Sequence, residues 1–177
     1  MKRILFFLIL AFPVFLGSCI KNSPVTIGNE LYVEFDATVL NTPLTGQTYP
    51  VLRNVPVYGA AVVPASNPAI TRASGTVKFR VNLVGAQQST DQVISFKAVA
   101  TPTLPAGVAA AVSGTHYTLT GTITIPANSS FGEATVTIVN PGVSSATPVG
   151  LVLELTGNET VKPSPNYRFL GIQISQS

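Results

Sequence analysis

The stretch Val77-Lys78-Phe79-Arg80-Val81-Asn82-Leu83 decides the fold. Its apolar residues fall at every second position, and in an extended chain successive side chains point to opposite sides. Val77, Phe79, Val81 and Leu83 therefore line one face, and Lys78, Arg80 and Asn82 the other. This is a strand with one dry face and one wet face. Working outward, the same alternation runs from Leu31 through Val33, Phe35, Ala37 and Val39, with Tyr32, Glu34, Asp36 and Thr38 between them. Downstream, residues 92–100 set Ile94, Phe96 and Ala98 on one face.

Further strands are predicted at 117–125, 134–139, 150–156 and 169–175, each bounded by Gly, Pro, Asn or Ser. Residues 55–63 read as an edge strand, because Pro56 cannot donate to a central ladder. Residues 40–54 and 101–114 read as loops. In the second, Pro102, Pro105, Gly107 and Gly114 leave too few uninterrupted residues for the roughly 12 that an isolated helix needs. Seven or eight short strands without a periodic helix predict an all-β fold, an antiparallel sandwich of two sheets, with a closed barrel as the alternative.

The first eighteen residues have a different composition. Met1-Lys2-Arg3 leads into an apolar run from Ile4 to Leu16 broken only by Pro13, the layout of a secretory signal. The run is too short to cross a bilayer as a helix, which takes about 20 residues. It ends in Leu16-Gly17-Ser18-Cys19, which resembles the lipobox of bacterial lipoproteins: an aliphatic residue, two small ones, then a cysteine that takes a diacylglycerol on sulfur. Three regions follow from this reading: a signal peptide over 1–18, a lipidated tether over 19–29 containing Pro24 and Gly28, and a single domain over 30–177. Cys19 is the only cysteine of the chain, so its use as a lipid anchor leaves no intrachain disulfide.

The formal charge of +3 counts Lys2 and Arg3, which leave with the signal, so the mature chain is nearly neutral. An overall pI of about 9.2 therefore does not mark a nucleic-acid binder, and the remaining cations are scattered. The mean hydropathy of +0.42 owes much to the signal, and beyond it to Val, Ile, Ala and Thr, residues that favour strands.

The residues Gly114-Thr115-His116-Tyr117, then Gly121 to Asn128, then Glu133 to Ile138 are similar to the central hairpin of Calx-beta-type domains, whose pattern is Gly-x-Asp-Tyr, a glycine, an apolar strand, a turn and a second apolar strand. The resemblance covers residues 75–156 and implies an immunoglobulin-like sandwich. Within that group the chain most resembles short lipoproteins of unknown function from the Bacteroidetes, whose genes often lie near polysaccharide-uptake systems. Calcium binding does not transfer, because the family's Asp is His116 here and no acidic cluster replaces it.

Groups that carry chemistry are scarce. One histidine and seven acidic residues leave little for acid–base work, and no Gly-x-Ser-x-Gly elbow accompanies His116, so no catalytic residue is assigned. A single His without a free Cys gives no zinc set, and neither a metal nor a cofactor is expected. Glu30, Glu34 and Asp36 share an outward strand face with Tyr32 and read as a solvated surface. If the strands were neighbours, Lys78 and Arg80 would pair with Glu34 and Asp36 across the sheet. For sugar binding the chain lacks Trp, which leaves Tyr49, Tyr58 and Tyr167, in or beside loops, as candidate ligand-binding residues.

These readings converge on a non-catalytic envelope lipoprotein, an accessory binding or interaction module linked by its resemblance to polysaccharide uptake. Its expected partners are the membrane, through the lipid on Cys19, and a glycan or envelope protein. A subunit of a surface assembly, a pilus or adhesin exchanging the final strand over 169–175, is the alternative, and a hydrolase ranks last. Ile20 after Cys19 gives no Asp-type inner-membrane retention signal, so resemblance to lipoprotein sorting rules points to the outer membrane. Lys21 and Asn22, in place of an acidic surface-export tract, favour its periplasmic face.

Overall fold

In the computed structural model, which describes residues 29–36, 46–57 and 67–177, the alternating segments become strands. They are β1 (Leu31–Phe35), β2 (Val51–Leu52), β3 (Thr76–Val84), β4 (Gln92–Ala98), β5 (Ala109–Ala110), β6 (Tyr117–Leu119), β7 (Thr122–Ile125), β8 (Phe131–Ile138), β9 (Val149–Gly157), β10 (Val161–Pro163) and β11 (Phe169–Ile174). Among the described residues no helix occurs. Sheet A runs β10-β1-β3-β8-β6, and sheet B runs β2-β11-β9-β4-β7, with β5 added at the start of β9. The all-β, two-sheet sandwich expected from the alternation is the fold.

The inward faces meet as the periodicity requires. Val77, Phe79, Val81 and Leu83 of β3 are buried against Ile94 and Phe96 of β4, Ile123 and Ile125 of β7, and Leu151, Leu153 and Leu155 of β9 in one core cluster. With no disulfide among the described residues, the sandwich is held by this apolar packing, at about 1.5–3 kcal/mol for each large side chain fully removed from water.

Strand boundaries depart from expectation where pairing, not local pattern, decides them. The 117–125 segment breaks at Gly121, whose φ of +76° turns the chain from β6 in sheet A to β7 in sheet B. The loop expected over 40–54 contains β2, at an edge of sheet B, and of the edge strand expected over 55–63 the described residues 55–57 form no strand. Val55 instead sends its N–H to the Pro68 carbonyl, and residues 58–66 lie outside the described ones. Three short strands, β2, β5 and β10, join β11, β9 and β1 in parallel, so the otherwise antiparallel sheets are mixed at their margins. The signal, Cys19, all of the tether but Asn29, the end of the first expected strand at 37–39, and Tyr58 likewise lie outside the described residues.

The acidic face of β1 differs from the solvated surface expected. Glu30 is exposed, accepting from the Tyr32 hydroxyl and pairing with Lys162 Nζ at 2.9 Å, but Glu34 is half-buried and Asp36 only 5% exposed. β10 and the residues after it run along the edge of β1. Ser164 N–H donates to the Val33 carbonyl, and Phe35 N–H donates to that of Tyr167. Burial raises the Glu34 carboxyl above its ordinary range; a hydrogen bond from Ser164 opposes this, and the charge of Asp36 adds to it.

The Lys78–Glu34 pairing does not form, although β1 and β3 are neighbours. Their register sets Glu34 opposite Asn82, and the Asp36 N–H donates to the Arg80 carbonyl at 3.1 Å. Lys78 lies beyond the end of β1 and pairs with Glu133 of β8 at 2.8 Å.

Candidate binding groove

The pattern of sheet B breaks on its outer face. In β9, Gly150 and Val152 face away from the core, yet Val152 is only 2% exposed. Two segments cover them. After β4 the chain is still anchored to β9 by the Val99 N–H on the Val152 carbonyl, then leaves the sheet over residues 100–108 and returns as β5 beside Val149 and Gly150. From the other side, Tyr49 and Pro50 lie over β11.

Glycines make this possible. A Cβ on Gly150 would meet Leu104 Cδ2 at 2.7 Å, and one on Gly171 would meet Tyr49 Cε2 and Val51 Cγ2, each at 2.8 Å. The missing side chains let both segments lie directly on the sheet. The Tyr49 hydroxyl donates to the Thr103 carbonyl, tying one covering segment to the other.

Between them remains an open groove of about 200 Å³ lined by Thr48, Tyr49, Val99, Thr101, Thr103 and Phe169, with Val152 at its floor. The register explains its rim. Lys97, Glu154 and Phe169 form one row across β4, β9 and β11, on the same outer face as Val152. Glu154 is flanked by Lys97 Nζ at 3.5 Å and Arg168 Nη2 at 3.8 Å, and the Arg168 guanidinium lies 4.6 Å from the centre of the Phe169 ring. The groove thus offers an apolar floor, an aromatic wall and threonine side chains, and the Glu154 carboxylate, held between two cations, lies beside Phe169 outside its lining.

Of the tyrosines singled out from the sequence, Tyr49 belongs to this groove. It is 8% exposed, so it contributes a ring edge rather than an open stacking face, and burial raises its phenol above the ordinary range. Tyr167 is half-buried beside β1, on the other sheet, and the structure does not bring it to Tyr49. Phe169, Val152 and Glu154 were missed. For Val152 the signal is the run Val149-Gly-Leu-Val-Leu153, which has no polar residue at either parity and so reads as covered on both faces, with a glycine inside it and another inside β11.

His116 serves a turn. Its Nδ1 accepts the Val112 N–H at 2.9 Å, while its own N–H and carbonyl bond Val112 and Val139. Among the described residues no three His, Cys, Asp or Glu side chains come together.

Solved structures share this architecture. The apo-form CBD1 domain of Calx matches with a TM-score of 0.52 at 11% identity, covering 84% of this chain and 98% of that domain. A two-domain protein of unknown function from Bacteroides fragilis matches with a TM-score of 0.51 at 10% identity, covering 84% of this chain and 46% of the other, so this chain corresponds to less than half of that protein. At such identities the likeness defines the fold, a Calx-beta-like sandwich. No protein-family model matches the sequence, and no curated protein resembles it.

Proposed function

We propose that this chain is a non-catalytic lipoprotein of the bacterial envelope, held by a diacylglycerol on Cys19 at the periplasmic face of the outer membrane, and that it binds glycan through the groove on sheet B. The observation that carries the glycan reading is the groove's mixed lining. A pyranose ring has an apolar C–H face and an equator of hydroxyls. Val99 and Phe169 offer surface to the first, and Thr48, Thr101 and Thr103 offer hydrogen-bonding groups to the second. The rigid sheet beneath is suited to hold that lining in place.

The anchor reading rests on Leu16-Gly17-Ser18-Cys19 behind an apolar signal. Labelling growing cells with a fatty acid tests it. The wild-type chain is expected to carry label and to fractionate with outer membranes, and Cys19→Ala to lose both. Label retained by Cys19→Ala would refute the anchor. The glycan reading is tested by filling the groove with Thr101→Trp: glycan retained by the wild type and released by this variant, at unchanged melting temperature, is the expected result.

A further inference from the structure

We infer that the outer face of sheet A rests on the lipid surface at the corner formed by Tyr32, Val84 and Phe131, which turns the sheet B groove away from the membrane. This inference depends on the lipid anchor at Cys19 proposed above. Three observations carry it. The first is placement: β1 starts, β3 ends and β8 starts at the same end of the sandwich, the end where the chain arrives from Cys19. Residues 20–30 reach at most roughly 40 Å when fully extended, so this end cannot move far from the bilayer.

The second observation is the register. Tyr32 lies opposite Val84, and Asn82 opposite Phe131, all with their side chains on the outer face. Val84 and Phe131 are 41% and 42% exposed and stand together, whereas Val93 of β4, 52% exposed, lies on the outer face of sheet B. They are diagonal neighbours, within reach of one another across the sheet. Third, the chemistry around them suits a headgroup layer. The Arg80 guanidinium lies 3.7 Å from the centre of the Phe131 ring, and Lys162, paired with Glu30, stands one strand beyond Tyr32. An aromatic ring with a cation over it can meet acyl chains and phosphates together.

The patch is too small to hold a free protein on a membrane, and it does not have to. The anchor keeps it at high local concentration beside the surface, so weak contacts are enough to set orientation. Sheet B, packed behind sheet A, then faces the aqueous side with its groove open.

The chain has no Trp, so Phe131→Trp gives a single fluorescent reporter. The full-length lipidated variant would be placed in phosphatidylethanolamine–phosphatidylglycerol vesicles with brominated acyl chains, beside a second variant, Thr124→Trp, whose reporter sits on the outer face of sheet B. Strong quenching at position 131, weak quenching at 124, and a fall at 131 when Val84→Asp is added are expected. Equal quenching at the two positions overturns the orientation. The intact mass of the same sample reports the diacylglyceryl group: equal quenching with the lipid present overturns the orientation alone, whereas a chain without the lipid that stays off the vesicles overturns the anchor as well.

Discussion

At the scale of single residues, small groups decide where chain can lie on chain. Gly132 of β8 faces β7 across the sandwich corner, and a Cβ there would meet the Thr124 carbonyl oxygen at 2.5 Å. Backbone oxygen cannot rotate away, so Gly132→Ala is expected to cost about 1–3 kcal/mol. At Gly150 the obstacles are the ends of Leu104 and Val108, which can yield. Part of that smaller strain is offset by about 0.4–1 kcal/mol from the restricted unfolded chain. Guanidinium midpoints should therefore fall clearly for Gly132→Ala and little for Gly150→Ala; equal shifts would contradict the packing described at the corner.

Glu34 gives a pH-dependent counterpart. Burial, partly opposed by Ser164 and reinforced by Asp36, holds its folded carboxyl above the ordinary 4.5. The folded chain then keeps that proton more tightly than the unfolded one. Stability is therefore lost as pH rises from the ordinary value through the raised one, and it stays lost above. Glu34→Gln removes the buried charge, so its melting temperature relative to wild type should climb as pH goes from acid to neutral. A difference that stays flat with pH would remove Glu34 as the cause.

Elements were legible in proportion to how far local pattern determined them. β3, β4, β8, β9 and β11 carry enough alternation or apolar length to be read directly, because each buries one face or both whatever its neighbours are. β2, β5 and β10 are two or three residues long and exist only because β11, β9 and β1 offer them an edge. Register was equally hidden: alternation says that Lys78 and Glu34 face outward, but only the pairing of β1 with β3 shows them out of step. The groove was half legible, since glycines inside β9 and β11 and the two-parity apolar run of β9 signal covering chain without naming what covers.

The same scale bears on strand exchange. β11 lies between β2 and β9, and Leu170, Ile172 and Ile174 are buried in the core. Ending the chain before Phe169 should expose that core and abolish cooperative unfolding, whereas Ile172→Ala should cost about 2–5 kcal/mol and leave the fold intact. A truncated chain that folds as a monomer and regains β11 from an added peptide would instead support assembly by strand donation.

For the whole molecule, the proposed function gives the two sheets separate tasks. Sheet A presents Tyr32, Val84 and Phe131 at the end where β1 starts, which the proposed anchor would hold near the membrane, and sheet B carries the covered glycines and the groove. A rigid sandwich between them would keep a binding surface at a fixed attitude to the membrane. The most direct test of this account is glycan-array binding by the lipidated chain in detergent, compared with Thr101→Trp and with Phe169→Ala. We expect one glycan class to be retained by the wild type and lost by both variants at unchanged melting temperature. Glycan held equally well by the groove-filled variant, or no glycan held by any of them, would contradict the account.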